Sequence, residues 1–237
     1  MKLSVIIPAY NEVDRIVTTL ESTHTYLEQQ DYQSEVVVVS DGSTDGTGSV
    51  VKSFGSGKKV SFYLLEYHPN RGKGYAVRYG MVRAHGKIVM FMDADYSVPM
   101  EEVQKGFHLL DDGFDIAIGS RAIRGSVISS HQNPFRELSA KIYTFIQNRY
   151  LGLPHKDTQC GFKLFTDRAA RNLFAMQKLD SVIFDPEILW LAKKNLYRVA
   201  EFPVKWFHVA DSRIKYDSLG KSLFVFQELF RIKHLHP

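Results

Sequence analysis

Cysteine and long apolar runs are the two features that this 237-residue sequence lacks. Cys160 is its one cysteine, so no internal disulfide can form, which suits a reducing compartment. No apolar run approaches the ~18 residues of a membrane-spanning helix. Because Met1 and Lys2 lead directly into a strand-like segment, we expect no secretory signal. These absences favour a cytoplasmic chain that is stabilised by a packed core.

Charge is divided unevenly along the chain. Residues 1–120 contain 11 basic and 16 acidic residues, a net charge of −5, whereas residues 121–237 contain 19 and 10, a net charge of +9. An acidic first half suits metal binding, and a basic second half suits an anionic partner such as a phosphate or a lipid headgroup. Nucleic acid is not expected as a partner, because the sequence has no basic stripe interleaved with aromatic residues.

Short apolar runs alternate with segments of helical periodicity. The runs predict strands at Leu3–Ala9, Glu35–Ser40, Val60–Glu66, Lys87–Met92 and Asp115–Gly119, with later strands inside Asp157–Phe165 and Tyr197–Val209. Helices are predicted at 13–30 with Asn11 as its cap, at 47–54, at Tyr75–Ala84, at 99–110 with Pro99 as its first residue, and at Glu137–Tyr150, Asp185–Lys194 and Ser218–Leu235. This alternation predicts one α/β domain over residues 1–237, with a mainly parallel twisted sheet flanked by helices.

Two carboxylates one residue apart, Asp93 and Asp95, follow the continuous apolar run Ile88–Met92. Two acids at the end of a buried strand repel each other and lose hydration, so a cation is needed to offset the cost. Oxygen ligands on a short loop suit Mg²⁺ or Mn²⁺, which commonly also hold substrate phosphates. The alternative is a helix start, in which an Asp caps a first turn that contains Glu101 and Glu102.

Further polar residues follow the ends of other predicted strands. Glu12 and Asp41 come after the first and second strands, and ligands of open parallel sheets bind beyond such ends. Lys73 lies in RGKG, where it would counter a diphosphate unless it is an ordinary exposed loop lysine. The segment lacks the Walker A spacing, and PAYNE after the first strand is not GxGxxG. The set predicts a nucleoside-diphosphate ligand.

Four segments resemble family 2 inverting glycosyltransferases of the GT-A fold: SVIIPAYNE (Ser4–Glu12), VVVSDGSTDGT (Val37–Thr47), NRGKGYAVRYG (Asn70–Gly80) and MDADYSVP (Met92–Pro99). DTQCGFKLF (Asp157–Phe165) and FDPEILWLA (Phe184–Ala192) are similar to a narrower branch, the dolichyl-phosphate glucosyltransferases and polyprenyl-phosphate glycosyltransferases. The resemblance implies metal-dependent transfer of a sugar, with UDP-glucose as the expected donor, to dolichyl or polyprenyl phosphate.

The resemblance also implies roles for residues of the donor side. Most of them would contact the nucleotide-diphospho-sugar: Pro8, Tyr10 and Glu12 the nucleobase, Asp41 the base or ribose, Lys73 the diphosphate, and Asp93 the ribose or sugar. Asp95 would bind the metal together with Asp93. Ser97 stands where relatives often have Gln or Asp as a further metal contact, and serine is a weaker ligand.

The acceptor side is implied to lie in residues 122–237, beyond a donor half at 1–121. Phosphate contacts are expected from Arg121 and from four more cations: Arg124, Arg136, Arg213 and Lys215. Asp157 would be the base for a hydroxyl acceptor, or would orient the sugar or a nearby cation for a phosphate acceptor. With Asp95 and Arg121 it completes the expected catalytic set.

Membrane contact is the remaining expectation. The apolar faces at Leu138–Ile146 and Leu219–Phe230 would either lie in a membrane interface or pack on the sheet. Many relatives carry anchor or spanning helices that this sequence lacks, so the chain docks peripherally at the cytoplasmic face, is a piece of a longer protein, or uses an acceptor that is not a membrane lipid. Transfer to a saccharide hydroxyl and non-catalytic nucleotide-sugar binding are the alternative functions.

Overall fold

The computed structural model describes residues 1–55, 60–129, 134–209 and 219–237, without the side chains of residues 134–138 and 219–222. In chain order its strands are β1 Leu3–Ala9, β2 Ser34–Asp41, β3 Ser61–Tyr67, β4 Ile88–Met92, β5 Ile116–Ser120, β6 Val127–Ile128, β7 Phe162–Thr166, β8 Val199–Pro203 and β9 Lys205–Trp206. Its helices are α1 Val13–Glu28, α2 Thr47–Gly55, α3 Lys73–Met81, α4 Val103–Asp111, α5 Pro134–Leu151, α6 Asp167–Met176, α7 Phe184–Lys194 and α8 Leu219–Leu235, and a 3₁₀ turn at Met100–Glu102 precedes α4.

Seven strands form one sheet in the order β3-β2-β1-β4-β7-β5-β8. All neighbouring pairs are parallel except those of β7, which runs antiparallel to both β4 and β5. The predicted mainly parallel sheet is therefore confirmed. A strand from the second half of the chain lies between two strands of the first half, so the two halves share one sheet. The remaining strands, β6 and β9, pair with each other in parallel.

Apolar side chains cover both faces of the sheet because successive strand residues point to opposite sides. On one side Val5 and Ile7 of β1 join a buried cluster with residues of α1, α2 and α4. On the other side Ile6 joins a cluster with residues of α3, α5, α6, α7 and α8. Helices on both faces leave the carboxyl ends of the parallel strands as the edge at which polar residues collect.

Two predicted helix starts were wrong. Asn11 does not cap α1: its backbone is left-handed, with φ of 53°, and its Oδ1 accepts a hydrogen bond from the Thr44 backbone N–H at 2.9 Å, while Glu12 occupies the cap position. Pro99 precedes the 3₁₀ turn as its extended cap residue and is not inside a helix. Asn11 is thus used to tie the end of β1 to the turn after β2.

Helix α6 was not predicted. The Thr166 side chain caps it by accepting from the Ala169 N–H at 3.3 Å, and its buried face includes Leu173 and Phe174. Charged residues interrupt this segment, and only its packing on the sheet reveals the apolar side. Helix α3 begins at Lys73, two residues before the predicted start, because Gly72 turns the chain with φ of 104°.

Helices α5 and α8 pack against each other through aromatic pairs. The ring centroids of Tyr150 and Phe230 are 4.9 Å apart, and Tyr143 also contacts Phe226. Other side chains of the same helices face outward, with exposed fractions of 72% for Phe145 and 63% for Leu223. Each helix therefore buries one side and exposes apolar residues on another. Within the described residues, no helix combines the length and the apolar character that crossing a bilayer requires.

Candidate active site

The acidic residues predicted to meet at one edge do so. Strands β2, β1 and β4 are adjacent and parallel in the sheet, and Asp41, Glu12 and the Asp93–Asp95 pair lie at or just beyond their carboxyl ends. Because each group follows a different strand, the sheet sets their relative positions. This edge is the candidate site for a nucleotide-diphospho-sugar.

Lys73 and Asp93 form an ion pair at this edge. Their Nζ and Oδ1 atoms are 2.6 Å apart, and their side chains are 20% and 31% exposed. Burial by itself would lower the pKa of Lys73, but the Asp93 carboxylate, assisted by Asp185, outweighs it and raises that pKa. Lys73 is therefore a partly buried, fully charged residue of the site and not an exposed loop lysine.

Gly161 lies directly against Asp93 and bonds to its backbone. Its carbonyl accepts a hydrogen bond from the Asp93 backbone N–H at 3.1 Å. A Cβ atom at position 161 would lie 2.1–2.4 Å from atoms of the Asp93 carboxyl group, so only glycine leaves room for that side chain. The turn before β7 thus defines where the first aspartate of the pair lies.

Asp95 has a hydrogen-bond donor but no lysine or arginine partner of its own in the described part of the chain. Its Oδ1 accepts from the Ser97 backbone N–H at 3.0 Å. Burial and the neighbouring Asp93 charge raise the pKa of the Asp95 carboxyl. Because Pro99 caps the turn that follows, the predicted alternative of a helix capped by this aspartate pair is wrong.

The donor set at this position fits a hard divalent cation. Asp95 is a partly buried carboxylate next to a like charge, which is the situation that a cation relieves. The described residues contain no group of three or more His, Cys, Asp or Glu arranged to hold a metal. One or two carboxylates completed by phosphate oxygens and water are a common environment for Mg²⁺. An ion here would therefore depend on the donor diphosphate for part of its coordination.

Asp41 holds the loop that leads to Lys73. Its carboxylate accepts from the backbone N–H groups of Arg71 at 2.7 Å and Gly72 at 2.9 Å, and from the Asn70 side chain at 2.9 Å. A Cβ at Gly42, whose φ is 69°, would lie 2.4 Å from the Asn70 nitrogen, so this close approach also requires glycine. Asp41 thereby fixes the segment immediately before α3. The expected contact of Asp41 with a base or ribose stays a prediction.

The three residues expected at the nucleobase surround the end of β1. Pro8 is buried within the strand, and Tyr10 is 44% exposed. Glu12 is buried and accepts two hydrogen bonds of 2.8 Å from the Arg15 guanidinium. Tyr10 is therefore the member of the three that presents most surface to a ligand.

Arg121 and Asp157 form a two-pronged ion pair beyond the end of β5. The Arg121 Nε and Nη2 atoms donate to the two Asp157 oxygens at 2.7 and 2.9 Å, and the Arg121 backbone N–H adds a third bond at 2.9 Å. Burial would raise the pKa of Asp157, but the Arg121 charge outweighs it and lowers that pKa. A carboxylate held in this way is a poor proton acceptor near neutral pH.

Of the other cations expected to bind the acceptor phosphate, the structure describes only some. Arg124 is exposed in the turn between β5 and β6. The Arg136 side chain, Arg213 and Lys215 lie outside the described residues. Their contact with an acceptor phosphate stays a prediction.

A further ion pair, which is fully buried, was not predicted from the sequence. The Lys163 Nζ atom on β7 lies 2.5 Å from Asp185 Oδ1 on α7, and the two side chains are 1% and 3% exposed. Burial raises the pKa of Asp185, although Lys163 and Lys73 act in the opposite direction. A lysine inside the apolar run GFKLF and the aspartate of FDPEI were the signals that would have identified it. Burial likewise raises the pKa of the Cys160 thiol to about 12, so it stays protonated.

The fold is that of the GT-A glycosyltransferases. The glucosyl-3-phosphoglycerate synthase of Mycobacterium tuberculosis, solved with Mn²⁺, UDP and glucosyl-3-phosphoglycerate, superimposes with a TM-score of 0.68 over 98% of this chain and 79% of that one, at 20% identity. This likeness concerns the fold alone.

The sequence comparisons define the family. The model of glycosyl transferase family 2 matches residues 4–174, and the chain belongs to that family of enzymes. It is 36% identical over 245 residues to the dolichyl-phosphate beta-glucosyltransferase of Drosophila melanogaster, covering 95% of this chain and 74% of that protein. A dolichyl-phosphate beta-glucosyltransferase of Trichomonas vaginalis is 35% identical over 226 residues, which is 91% of this chain and 67% of the relative. The predicted family and fold are confirmed.

Proposed function

We propose that this enzyme transfers glucose from UDP-glucose to dolichyl or polyprenyl phosphate with inversion at the anomeric carbon. The observation that carries the proposal is the pairing of two sites at one sheet edge: the Asp93–Asp95 pair with Lys73, and Arg121 held by Asp157. The first suits a leaving diphosphate and the second an incoming phosphate. Similarity to the dolichyl-phosphate beta-glucosyltransferases supports the choice of acceptor and sugar.

Lys73 is proposed to stabilise the leaving group. Breaking the bond between sugar C1 and the diphosphate places negative charge on the diphosphate oxygens, and a positioned ammonium stabilises that charge as it develops. Asp93 holds the ammonium by a 2.6 Å contact, and Asp41 fixes the preceding loop. Pro8, Tyr10 and Glu12 are proposed to border the nucleobase.

Asp95 and Asp93 would hold Mg²⁺ or Mn²⁺, with Ser97 nearby as a weak additional ligand. When bound, the ion would supply positive charge against the leaving diphosphate. The backbone hydrogen bond from Ser97 orients the Asp95 carboxylate for this role.

Arg121 is proposed to bind the acceptor phosphate, assisted by Arg124, Arg136, Arg213 and Lys215. The second pKa of a phosphate monoester is about 6, so the acceptor arrives largely ionised near pH 7 and needs little help from a base. Asp157 then serves to orient the guanidinium. In this division residues 1–121 bind the donor and residues 122–237 the acceptor, except that Arg121, at the boundary, contacts the acceptor phosphate; both halves build the sheet of one domain.

A peripheral contact with the cytoplasmic face of a membrane would bring the enzyme to a lipid acceptor. The outward side chains of α5 and α8, including Ile142, Phe145 and Leu223, are 50%, 72% and 63% exposed. Lys233 lies beside them, with its Nζ 4.5 Å from the Tyr150 ring centroid. Exposed apolar residues with adjacent cations are the combination that favours an anionic membrane interface.

The direct test is transfer from a panel of UDP- and GDP-sugars to a short polyprenyl phosphate, with and without EDTA. We expect UDP-glucose to be the best donor, a β-linked product by NMR, and loss of turnover in EDTA. Transfer to a saccharide but not to the lipid phosphate would replace this proposal by the hydroxyl-acceptor alternative. Full turnover in EDTA would remove the metal from it.

A further inference from the structure

The buried Lys163–Asp185 pair lies directly behind the donor site. Lys163 is on β7, where it is in register with Phe91 of β4, two residues before Asp93. Asp185 is the second residue of α7 and is 2% exposed. Their charged atoms are 2.5 Å apart, and Lys163 also donates to the Cys160 carbonyl at 2.6 Å.

This pair is connected to both members of the Lys73–Asp93 contact. The Cys160 carbonyl that Lys163 holds belongs to the residue before Gly161, and Gly161 is the residue on which Asp93 rests. On the other side, Gly74, the residue after Lys73, packs closely on Phe184, the residue before Asp185: a Cβ at position 74 would lie 2.9 Å from the Phe184 Cβ. The buried pair is therefore joined to the backbone beside each member of the Lys73–Asp93 contact.

Stability gives little reason to keep two charges in this position. Their surroundings are apolar: the Lys163 ammonium lies 5.2 Å from the Phe91 ring centroid, and Leu164 and Phe165 follow it as buried residues. Desolvating two charges costs about as much as their attraction returns, and well-packed apolar replacements of buried ion pairs are often neutral or stabilising. The charges are better explained by what they do for the neighbouring site.

We propose that Lys163 and Asp185 are positioning residues for sugar transfer, which hold the Lys73 ammonium and the Asp93 carboxylate in place against the leaving diphosphate. Asp185 fixes the start of α7, on which the residue after Lys73 packs, and so restricts the position of Lys73. Lys163 neutralises Asp185, so that no net negative charge faces the diphosphate, and clamps the turn beneath Asp93. This inference rests on the proposed function for its activity readout.

The test replaces both charges together by Lys163→Met with Asp185→Leu, which keeps the apolar volume and leaves no charge unpaired. We expect a melting temperature within a few degrees of the parent and a donor KM within about threefold. We expect kcat to fall by about 10- to 100-fold, because a displacement of about 1 Å in a catalytic group costs up to about that factor. A purely structural pair would give the parent kcat in the folded double variant, and that result would overturn the proposal.

Two further variants serve as a backup and a control for this test. Asp185→Asn keeps the shape and should show the same loss of kcat if the double variant fails to fold; an unchanged kcat would again contradict the proposal. His236→Gln removes another buried pair of α7, in which His236 Nε2 lies 2.6 Å from Glu187, and should lower the melting temperature without lowering kcat. An equal fall in kcat would mean that any damage to α7 has this effect, and would overturn the specific role.

A crystal structure of Asp185→Asn separates this inference from the proposed function. We expect the Lys73–Asp93 contact to lengthen beyond 2.6 Å or to break. An unchanged contact would contradict the positioning role even if the parent enzyme had a different acceptor. Failure of the parent enzyme to transfer glucose to lipid phosphate would instead count against the proposed function alone.

Discussion

Two carboxylates at the sheet edge have opposite electrostatics. Asp157, on the proposed acceptor side, has a lowered pKa because the Arg121 guanidinium outweighs its burial. Asp95, on the proposed donor side, has a raised pKa because of its burial and the adjacent Asp93 charge. The Asp157 charge is thus neutralised within the chain, whereas Asp95 keeps an electrostatic cost that a bound cation would remove. Sites of this kind trade stability for function.

Asp95→Asn is expected to have the largest effect on turnover. It should lower kcat by about 10²- to 10³-fold, the usual result of removing one group that stabilises charge in a transition state. The same change should raise the melting temperature in metal-free buffer at pH 7 by about 2–4 °C, because it removes the repulsion from Asp93. Steady-state kinetics and thermal unfolding measure the two effects. Lower stability together with full activity would mean that Asp95 stabilises the fold and does not take part in transfer.

Asp157→Asn is expected to lower the stability of the protein and to leave most of its turnover. It breaks the two-pronged contact with Arg121 and should lower the melting temperature, while transfer to lipid phosphate falls by less than about tenfold because no base is required. The same assays measure both quantities. A loss of 10³-fold or more with unchanged stability would point to Asp157 as the base for a hydroxyl acceptor.

The contributions of Asp157 and Asp95 to stability should depend on pH in opposite ways. The lowered pKa of Asp157 means that its stabilising effect is present above the unfolded value near 3.8 and is lost as pH falls through the lower folded value. The raised pKa of Asp95 means that its favourable contribution exists below 3.8 and is lost as pH rises through the higher folded value.

Melting curves of each Asn variant against the parent between pH 3 and pH 7 measure these contributions. The deficit of Asp157→Asn should shrink toward acid pH, and the gain of Asp95→Asn should grow toward neutral pH. Parallel curves for either variant would contradict the corresponding pKa direction.

The smallest effect concerns the membrane surface. Phe145→Ser with Leu223→Ser should weaken binding to vesicles that contain anionic lipid by several-fold, because it removes exposed apolar area. Turnover with a short, soluble polyprenyl phosphate should be unchanged, since neither side chain is among the residues proposed to bind donor or acceptor. Exposed Tyr63→Ser on β3 is a matched control. Equal vesicle binding by all three proteins would show that this surface does not contact the membrane.

The donor side was largely predictable because its residues follow parallel strands in chain order. Glu12, Asp41 and Asp93 each come after an apolar run, and the geometry of a parallel sheet brings such positions together. The residues that the second half of the chain adds to the site were less predictable. Lys163 and Asp185 lie in elements whose pairing joins distant segments, and an antiparallel β7 between β4 and β5 has no local signal. Local pattern likewise missed α6, since its apolar face exists only against the sheet.

The most direct test of the central claim is Mn²⁺ binding by calorimetry in the presence of UDP. We expect the parent enzyme to bind Mn²⁺ with UDP much more tightly than without it, because the chain supplies only part of the coordination. Asp95→Asn should lose this binding, and Asp157→Asn should keep it. Equal affinity of the parent and Asp95→Asn for Mn²⁺–UDP would contradict the account.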